Sequence, residues 1–146
     1  MRKLGCGGFT LTEMMLVVGI ITAIMAVGTP LFMSLNNSNQ MEAAMNILVQ
    51  DLYQAQTYSR SQNQDSQWGV AVVGQRVTLF SGASYATRNT AQDIIYSVPT
   101  SVTLAGSTEV VYSKLYGLPQ TAATFNVSGG GRSGSVVVNS KGMVEY

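Results

Sequence analysis

One stretch of the sequence limits the fold more than any other, the apolar run at residues 9–35, in which Glu13 is the only ionisable side chain. A membrane span needs about 20 apolar residues, each adding about 1.5 Å. Residues 9–33 supply that length if Glu13 is tolerated. Because Arg2 and Lys3 precede the run, the amino terminus should stay in the cytoplasm. The sequence therefore predicts a single-pass membrane helix with the bulk of the chain beyond it.

Composition agrees with one domain that includes a water-avoiding segment. A chain of 146 residues accommodates one domain of ordinary size. It is 46% hydrophobic and only 10% charged, against about 25% charged in typical soluble domains. Two simpler interpretations of the run stay open, a plain signal anchor that never assembles and a cleaved signal peptide. The length of the run disfavours the second, because the apolar region of a signal peptide has about 7 to 15 residues.

The junction before the apolar run carries a specific motif. Residues 7–16 read GGFTLTEMML, which is glycine, phenylalanine, a hydroxyl residue, leucine and then glutamate at the start of an apolar helix. This order closely resembles the class III signal of type IV prepilins and of type II secretion pseudopilins. The resemblance implies that a prepilin peptidase removes residues 1–8 by cutting between Gly8 and Phe9. It also implies that the same enzyme methylates the new amino terminus at Phe9. Thr12 departs from the commoner isoleucine or valine.

Glu13 is a carboxylate near the start of an apolar helix, where ionisable groups are costly in free energy. One interpretation is a helix-start carboxylate that the helix dipole favours and water hydrates. The family resemblance implies another. There, Glu13 pairs with the terminal amine on Phe9 of a neighbouring subunit, which sets the register along a filament and recruits subunits into it.

Beyond the apolar run, the sequence predicts a kink and then an amphipathic helix. Pro30 lacks the N–H that would bond to Ala26, and Gly28 weakens the helix further. Residues 34–63 form the second half of the helix. Apolar positions recur there with three- and four-residue spacing, at Met41, Ala44, Met45, Leu48, Leu52, Ala55 and Tyr58. We expect this stripe to pack on a sheet.

Residues 64–146 change to short runs with the alternation of β-strands. They are Trp68 to Val73, Arg76 to Phe80, Ile94 to Val98, Val102 to Leu104, Val110 to Ser113, Thr124 to Val127, Ser135 to Val138 and Met143 to Tyr146. Gly74-Gln75 and residues 140–142 predict hairpin turns. The predicted fold class is α+β, with a long N-terminal membrane-spanning helix packed on an antiparallel β-rich C-terminal head.

The head is similar to that of one branch of the family. Residues 51–62, 123–131 and 135–145 resemble the corresponding helix and closing strands of H-type pseudopilins and FimT-type minor pilins. The only cysteine, Cys6, lies in the leader, so the mature chain lacks the carboxy-terminal disulfide of many major pilins. The resemblance favours a minor subunit over the major one.

The head lacks the residues of common active sites. The chain has no histidine, and its carboxylates are scattered, so we expect no enzyme activity, no cofactor and no metal. FimT-type relatives bind DNA through a glycine, arginine, any residue, arginine motif, whereas Gly131-Arg132-Ser133-Gly134 lacks the second arginine. Without the leader, acidic residues outnumber basic ones, which gives no broad basic surface. DNA binding through Arg132 during DNA uptake is the alternative function.

The sequence thus predicts a minor pilin or pseudopilin that joins or initiates a filament for secretion, adhesion or motility. The implied partners are the prepilin peptidase/N-methyltransferase, other pilin or pseudopilin subunits, an inner-membrane assembly platform and membrane lipid. The implied location is the bacterial inner membrane, with a periplasmic head, followed by a filament in the periplasm or at the cell surface. A secretion system and a pilus both remain open.

Overall fold

The computed structural model of the protein describes residues 8–146, apart from the side chains of residues 27–31 and of Ser34. One α-helix, eight β-strands and three short 3₁₀-helices, Asn63–Asp65, Tyr85–Thr87 and Thr90–Gln92, make up this part of the chain. Their bounds are α1 Leu11–Arg60, β1 Trp68–Val73, β2 Arg76–Ser81, β3 Ile94–Ser97, β4 Val102–Gly106, β5 Glu109–Tyr112, β6 Ala123–Gly129, β7 Arg132–Val138 and β8 Val144–Glu145. The chain divides into two compact units, one ending at Leu35 and the other running from Asn36 to Tyr146.

The first unit contains the beginning of α1, which starts with a capping box. The Thr10 hydroxyl accepts the Glu13 N–H at 3.3 Å, and the Glu13 carboxylate accepts the Thr10 N–H at 2.9 Å. The two residues therefore satisfy each other's backbone donors at the helix start. The backbone is helical across residues 28 and 30. The side chain of Pro30 lies outside the described residues, and the predicted kink at Gly28 and Pro30 stays a prediction.

The prediction that residues 9–33 form a membrane-spanning helix is wrong. Among the residues that the structure describes, no helix is both long enough and apolar enough to cross a membrane. The predicted single-pass location in the inner membrane is corrected with it.

The second unit contains two four-stranded sheets. The first has the strand order β3-β2-β1-β5 and the second has β4-β6-β7-β8. Every pairing between neighbouring strands is antiparallel. The α+β class with an antiparallel β-rich head therefore agrees with the sequence, and only the membrane-spanning property fails.

One hydrophobic core joins residues 36–60 of α1 to both sheets. Buried members include Met41, Ala44, Leu48, Leu52 and Ala55 of α1, Val70, Leu79 and Tyr112 of the first sheet, and Phe125, Val127 and Val136 of the second. Met45 and Tyr58 pack against this core from partly exposed positions. The stripe thus packs on the sheets as its spacing predicts. All core residues lie between Met41 and Val144, so the unit from Asn36 to Tyr146 has what it needs to fold alone.

Two tight turns set the strand registers. Gly74-Gln75 connects Val73 to its pairing partner Arg76, as predicted. Gly130 and Gly131 connect β6 to β7, with φ of 60° and 78°, a left-handed conformation that suits glycine. Because a two-residue turn is enough, β7 begins at Arg132. The sequence had placed this strand three residues later, with a longer glycine-rich loop before it.

Buried polar side chains of α1 tie loops to the core. Ser59 Oγ accepts the Trp68 N–H at 2.9 Å and donates to the Tyr112 carbonyl at 3.2 Å. Gln56 Nε2 donates to the carbonyls of Gly117 and Gly142, at 2.9 and 3.1 Å. These bonds fix the ends of β1 and β5 and join two loops that are distant in sequence.

Candidate assembly segment

The predicted cleavage site lies in the short stretch before α1 that belongs to no helix or strand. Gly8 and Phe9 are both exposed, and the Phe9 side chain retains 81% of its accessible surface. A Cβ atom placed on Gly8 would have nothing within 4 Å. Among the residues that the structure describes, none shields the Gly8–Phe9 peptide bond from solvent or from a peptidase. Its processing stays a prediction.

Glu13 is already engaged with its own helix start. Its Oε2 atom accepts the Thr10 N–H at 2.9 Å and the Thr10 hydroxyl at 2.8 Å. These hydrogen bonds, the backbone one foremost, lower the pKa of Glu13 below its ordinary value. The carboxylate is therefore ionised at neutral pH, and Thr10 fixes one of its two oxygens. The helix-start interpretation accounts for Oε2, while the pairing of Glu13 with a neighbour's amine stays a prediction.

The helix surface that follows is apolar and exposed on every side. Successive helical residues point about 100° apart, so three in a row sample most of the circumference. Leu16, Val17 and Val18 are 63%, 44% and 56% exposed. Leu11, Met15 and Ile24 are each exposed by more than 60%. Helices that are hydrophobic on every side are usually buried in proteins. Among the described residues, however, nothing buries this helix surface.

The one polar side chain midway along this surface needs no partner from outside. Thr22 Oγ1 lies 2.9 Å from the carbonyl oxygens of Val18 and Gly19 and donates its proton within the helix. A hydroxyl that is satisfied in this way can be buried without an unpaired donor. Apolar groups can therefore cover the segment from Met14 to Ala26 without burying an unpaired side-chain hydrogen-bond donor. We call residues 11–26 the assembly segment.

Arg132, the predicted DNA contact, belongs to the other unit. It is the first residue of β7, and its guanidinium lies 3.3 Å from the Glu42 carboxylate. Both side chains are more than 60% exposed, so the pair is solvated and weak. Arg88 and Lys114 also pair with carboxylates, those of Asp93 and Asp65. Acidic neighbours thus offset the positive charge in this part of the chain.

Sequence reasoning missed one unusual buried acid, Asp51 of α1. The residue is only 1% exposed, and its Oδ2 atom has no hydrogen-bond partner. Burial raises the pKa of Asp51 to about 7. Its distance in sequence from Leu48 and Ala55 fits the apolar stripe, and this spacing was the available signal. No group of three metal-ligating side chains occurs among the described residues.

Comparisons with known proteins give no match. No family model matches the chain. No curated protein and no solved structure matches it at a significant level either. A family assignment therefore depends on the motif at residues 7–16 and on the exposed helix that follows it.

Proposed function

We propose that the protein is a structural subunit of a pilin-like filament, a minor pilin or pseudopilin. In this proposal the assembly segment packs against the equivalent helices of neighbouring subunits. The observation that carries the proposal is the exposure of apolar side chains on every side of α1 between Leu11 and Ala26. Burial of such a surface stabilises an assembly by roughly 25 cal/mol per Å².

The exposed junction supports a processing step before assembly. Gly8 has no side chain to obstruct entry of the backbone into a peptidase cleft, and a Cβ atom placed on it would have nothing within 4 Å. Cleavage there would leave Phe9 as the first residue, with a charged amine. The proposed processing partner is a prepilin peptidase that is also an N-methyltransferase.

Glu13 would give the packed helices their register. Its carboxylate is ionised and held at one oxygen by Thr10. Among described residues, the other oxygen, Oε1, has no hydrogen-bond partner. Once neighbouring helices exclude water, a cationic amine on an adjacent Phe9 would be a favourable partner for that oxygen. The other proposed partners are pilin or pseudopilin subunits and an assembly platform.

The proposal gives the chain no catalytic residue and no cofactor. DNA capture, the second function predicted from sequence, stays a prediction that depends on Arg132. Its guanidinium is matched by Glu42 at 3.3 Å, and acidic partners offset two other basic residues.

Cross-linking through single cysteines tests the proposal, because Cys6 is the only native cysteine and lies in the leader. Leu16→Cys, in a Cys6→Ser background, places one thiol on the assembly segment in cells that produce pilin-like filaments. We expect oxidation to yield covalent species heavier than the monomer, detected by immunoblot. Val73→Cys is the matched control, since it is similarly exposed but lies in the head. A monomer alone for Leu16→Cys would contradict assembly through the helix.

Two further variants separate processing from assembly. Gly8→Leu should block cleavage, so mass spectrometry should find the leader still attached. Glu13→Ala should still give the cleaved chain that begins at Phe9 but reduce the cross-linked species at Leu16→Cys. If Glu13→Ala gives the same cross-linked yield as the parent, the proposed pairing of Glu13 is wrong, while packing of the helix still stands.

A further inference from the structure

The head exposes one edge of its first sheet. Strand β3 lies at the end of this sheet and pairs only with β2. All four of its residues are exposed, including Ile95 at 51% and Tyr96 at 36%. The opposite edge differs, because the Gln120 N–H bonds to the Val111 carbonyl and so covers β5. The β3 edge has no such cover in the described residues.

The register identifies which backbone groups of β3 point outward. The Val98 N–H donates to the Gln75 carbonyl at 2.8 Å, which places this pair among the hydrogen-bonded positions of the β2–β3 ladder. Hydrogen-bonded and non-hydrogen-bonded pairs alternate along an antiparallel ladder. The N–H and C=O groups of Ile95 and Ser97 therefore face away from β2. Four backbone hydrogen-bonding groups line the open edge.

The connection before β3 holds this edge in place. Arg88 Nε donates to Asp93 Oδ2 at 2.7 Å, and Arg88 also donates to the Tyr85 carbonyl. The Arg88 guanidinium lies 3.7 Å from the centre of the Tyr85 ring. The Tyr85 N–H is bound in turn by the Glu109 carboxylate at 2.7 Å. The strand thus starts from an ordered anchor, so a partner strand would meet a preformed edge.

Within β3 the edge carries no charge, proline or bulge of the kind that blocks pairing in many natural edge strands, since the strand reads Ile-Ile-Tyr-Ser. A second copy of this strand brings no like charge against the first. It also sets Tyr96 of one copy against Tyr96 of the other on one face of the joined sheet. We propose that β3 pairs antiparallel with β3 of a second copy of this chain, which joins the two first sheets into one.

The outward groups fix the register of the pair. Ile95 of each copy faces Ser97 of the other. Each of these two pairs forms two backbone hydrogen bonds, which makes four in all. Tyr96 then faces Tyr96 in a non-hydrogen-bonded pair, where Cα atoms lie about 4.5 Å apart. Because the contact involves only a short strand, we expect a weak dimer. This inference is independent of the proposed function, since it depends on the head alone.

The test uses the unit from Asn36 to Tyr146, which contains the whole core and no cysteine. Sedimentation velocity should show the apparent mass rising toward twice the monomer mass between roughly 10 µM and 1 mM, the range of weak contacts. Tyr96→Cys should form a disulfide-linked dimer on oxidation, because the expected Cα spacing suits a disulfide. Val73→Cys, exposed but away from the edge, should form far less.

Two variants then break the pairing without breaking the sheet. Ser97→Pro removes an outward N–H and no bond to β2, as edge positions tolerate. Ile95→Lys places like charges across the contact. Both should remain monomeric at 1 mM, with circular dichroism and a melting temperature close to the parent's. A parent that stays monomeric throughout, a dimer that survives both variants, or equal cross-linking at positions 73 and 96 would each overturn the proposal.

Discussion

Replacement of Asp51 by asparagine should change the pH dependence of stability in a defined direction. Asp51 is buried among core residues of α1, and it forms no ion pair among the described residues. Burial raises its pKa from 3.8 to about 7. The Asp51→Asn side chain has nearly the same shape but stays neutral at every pH. The substitution therefore removes the titration and little else.

The sign follows from proton binding. Between pH 3.8 and about 7 the folded state holds a proton on Asp51 that the unfolded state has lost. The stability gained from this proton is complete below pH 3.8 and is lost as the pH rises through about 7. At about 1.4 kcal/mol per pKa unit, the shift sets a ceiling of about 4 kcal/mol. From pH 5 to pH 8, after allowance for relaxation and water entry, we expect a loss of about 1–2 kcal/mol.

Urea unfolding of the unit from Asn36 to Tyr146 measures this effect. Trp68 is the only tryptophan and is 3% exposed, so its fluorescence reports loss of the core. The stability of Asp51→Asn relative to the parent should rise by about 1–2 kcal/mol between pH 5 and pH 8, a midpoint shift of about 1 M urea. Glu145→Gln removes an exposed carboxylate and serves as the matched control. The comparison with the parent cancels groups that titrate equally in both proteins.

Two outcomes would refute the reasoning. If Asp51→Asn differs from the parent by the same free energy at pH 5 and pH 8, the Asp51 carboxyl has an ordinary pKa in the folded protein. A constant loss at both values would show that the carboxyl acts only through its shape and hydrogen bonding. A pH-dependent difference of similar size in Glu145→Gln would show that the effect is not specific to burial.

Three other substitutions test the packing of the head, each by urea unfolding at pH 7. Gly106→Ala places a Cβ 2.3 Å from the Thr124 carbonyl oxygen at a φ of 103° and should cost about 3 kcal/mol; a change below 1 kcal/mol would contradict this close approach. Ser59→Ala leaves the buried Trp68 N–H without its acceptor and should cost about 2 kcal/mol, whereas Ser61→Ala, on an exposed residue, should be nearly neutral. Leu115→Gly relieves a left-handed φ of 73° at an exposed residue and should raise stability by up to about 1 kcal/mol; a clear loss would show that the Leu115 side chain stabilises its loop.

The elements of the head could be predicted where the sequence carries a local signal. Strand β1 occupies residues 68–73, as its alternation and the Gly74 turn indicate. The limits of β7 could not be predicted in the same way. Ser133 and Gly134 have a weak preference for β-strands. They belong to β7 because Ser133 pairs with Ser128 of β6 and Gly134 pairs with Val127. A tertiary contact decides that boundary.

The buried polar residues could not be predicted because their partners are distant in sequence. Gln56 bonds to carbonyls 61 and 86 residues away, and Ser59 to one 53 residues away. Their four-residue spacing from Leu52 and Ala55 places both on the packed face of α1, but it does not identify these partners. The assembly segment is the opposite case, since its apolar run and the Thr10–Glu13 cap are local. In the proposed function neighbouring subunits cover that segment, and no pattern within the chain specifies how they would pack.

Gln56 makes one side chain responsible for two loops. Its amide nitrogen has two protons, and one goes to the Gly117 carbonyl while the other goes to the Gly142 carbonyl. If either loop moves away from the helix, one N–H proton of the Gln56 amide loses its acceptor, and the other loop offers no replacement. We therefore expect opening of the loop before β8 and opening of the loop before β6 to be coupled, so slow hydrogen exchange in the two loops should rise and fall together. Gln56 of α1 thus helps to position the short strand β8, although the two are distant in sequence.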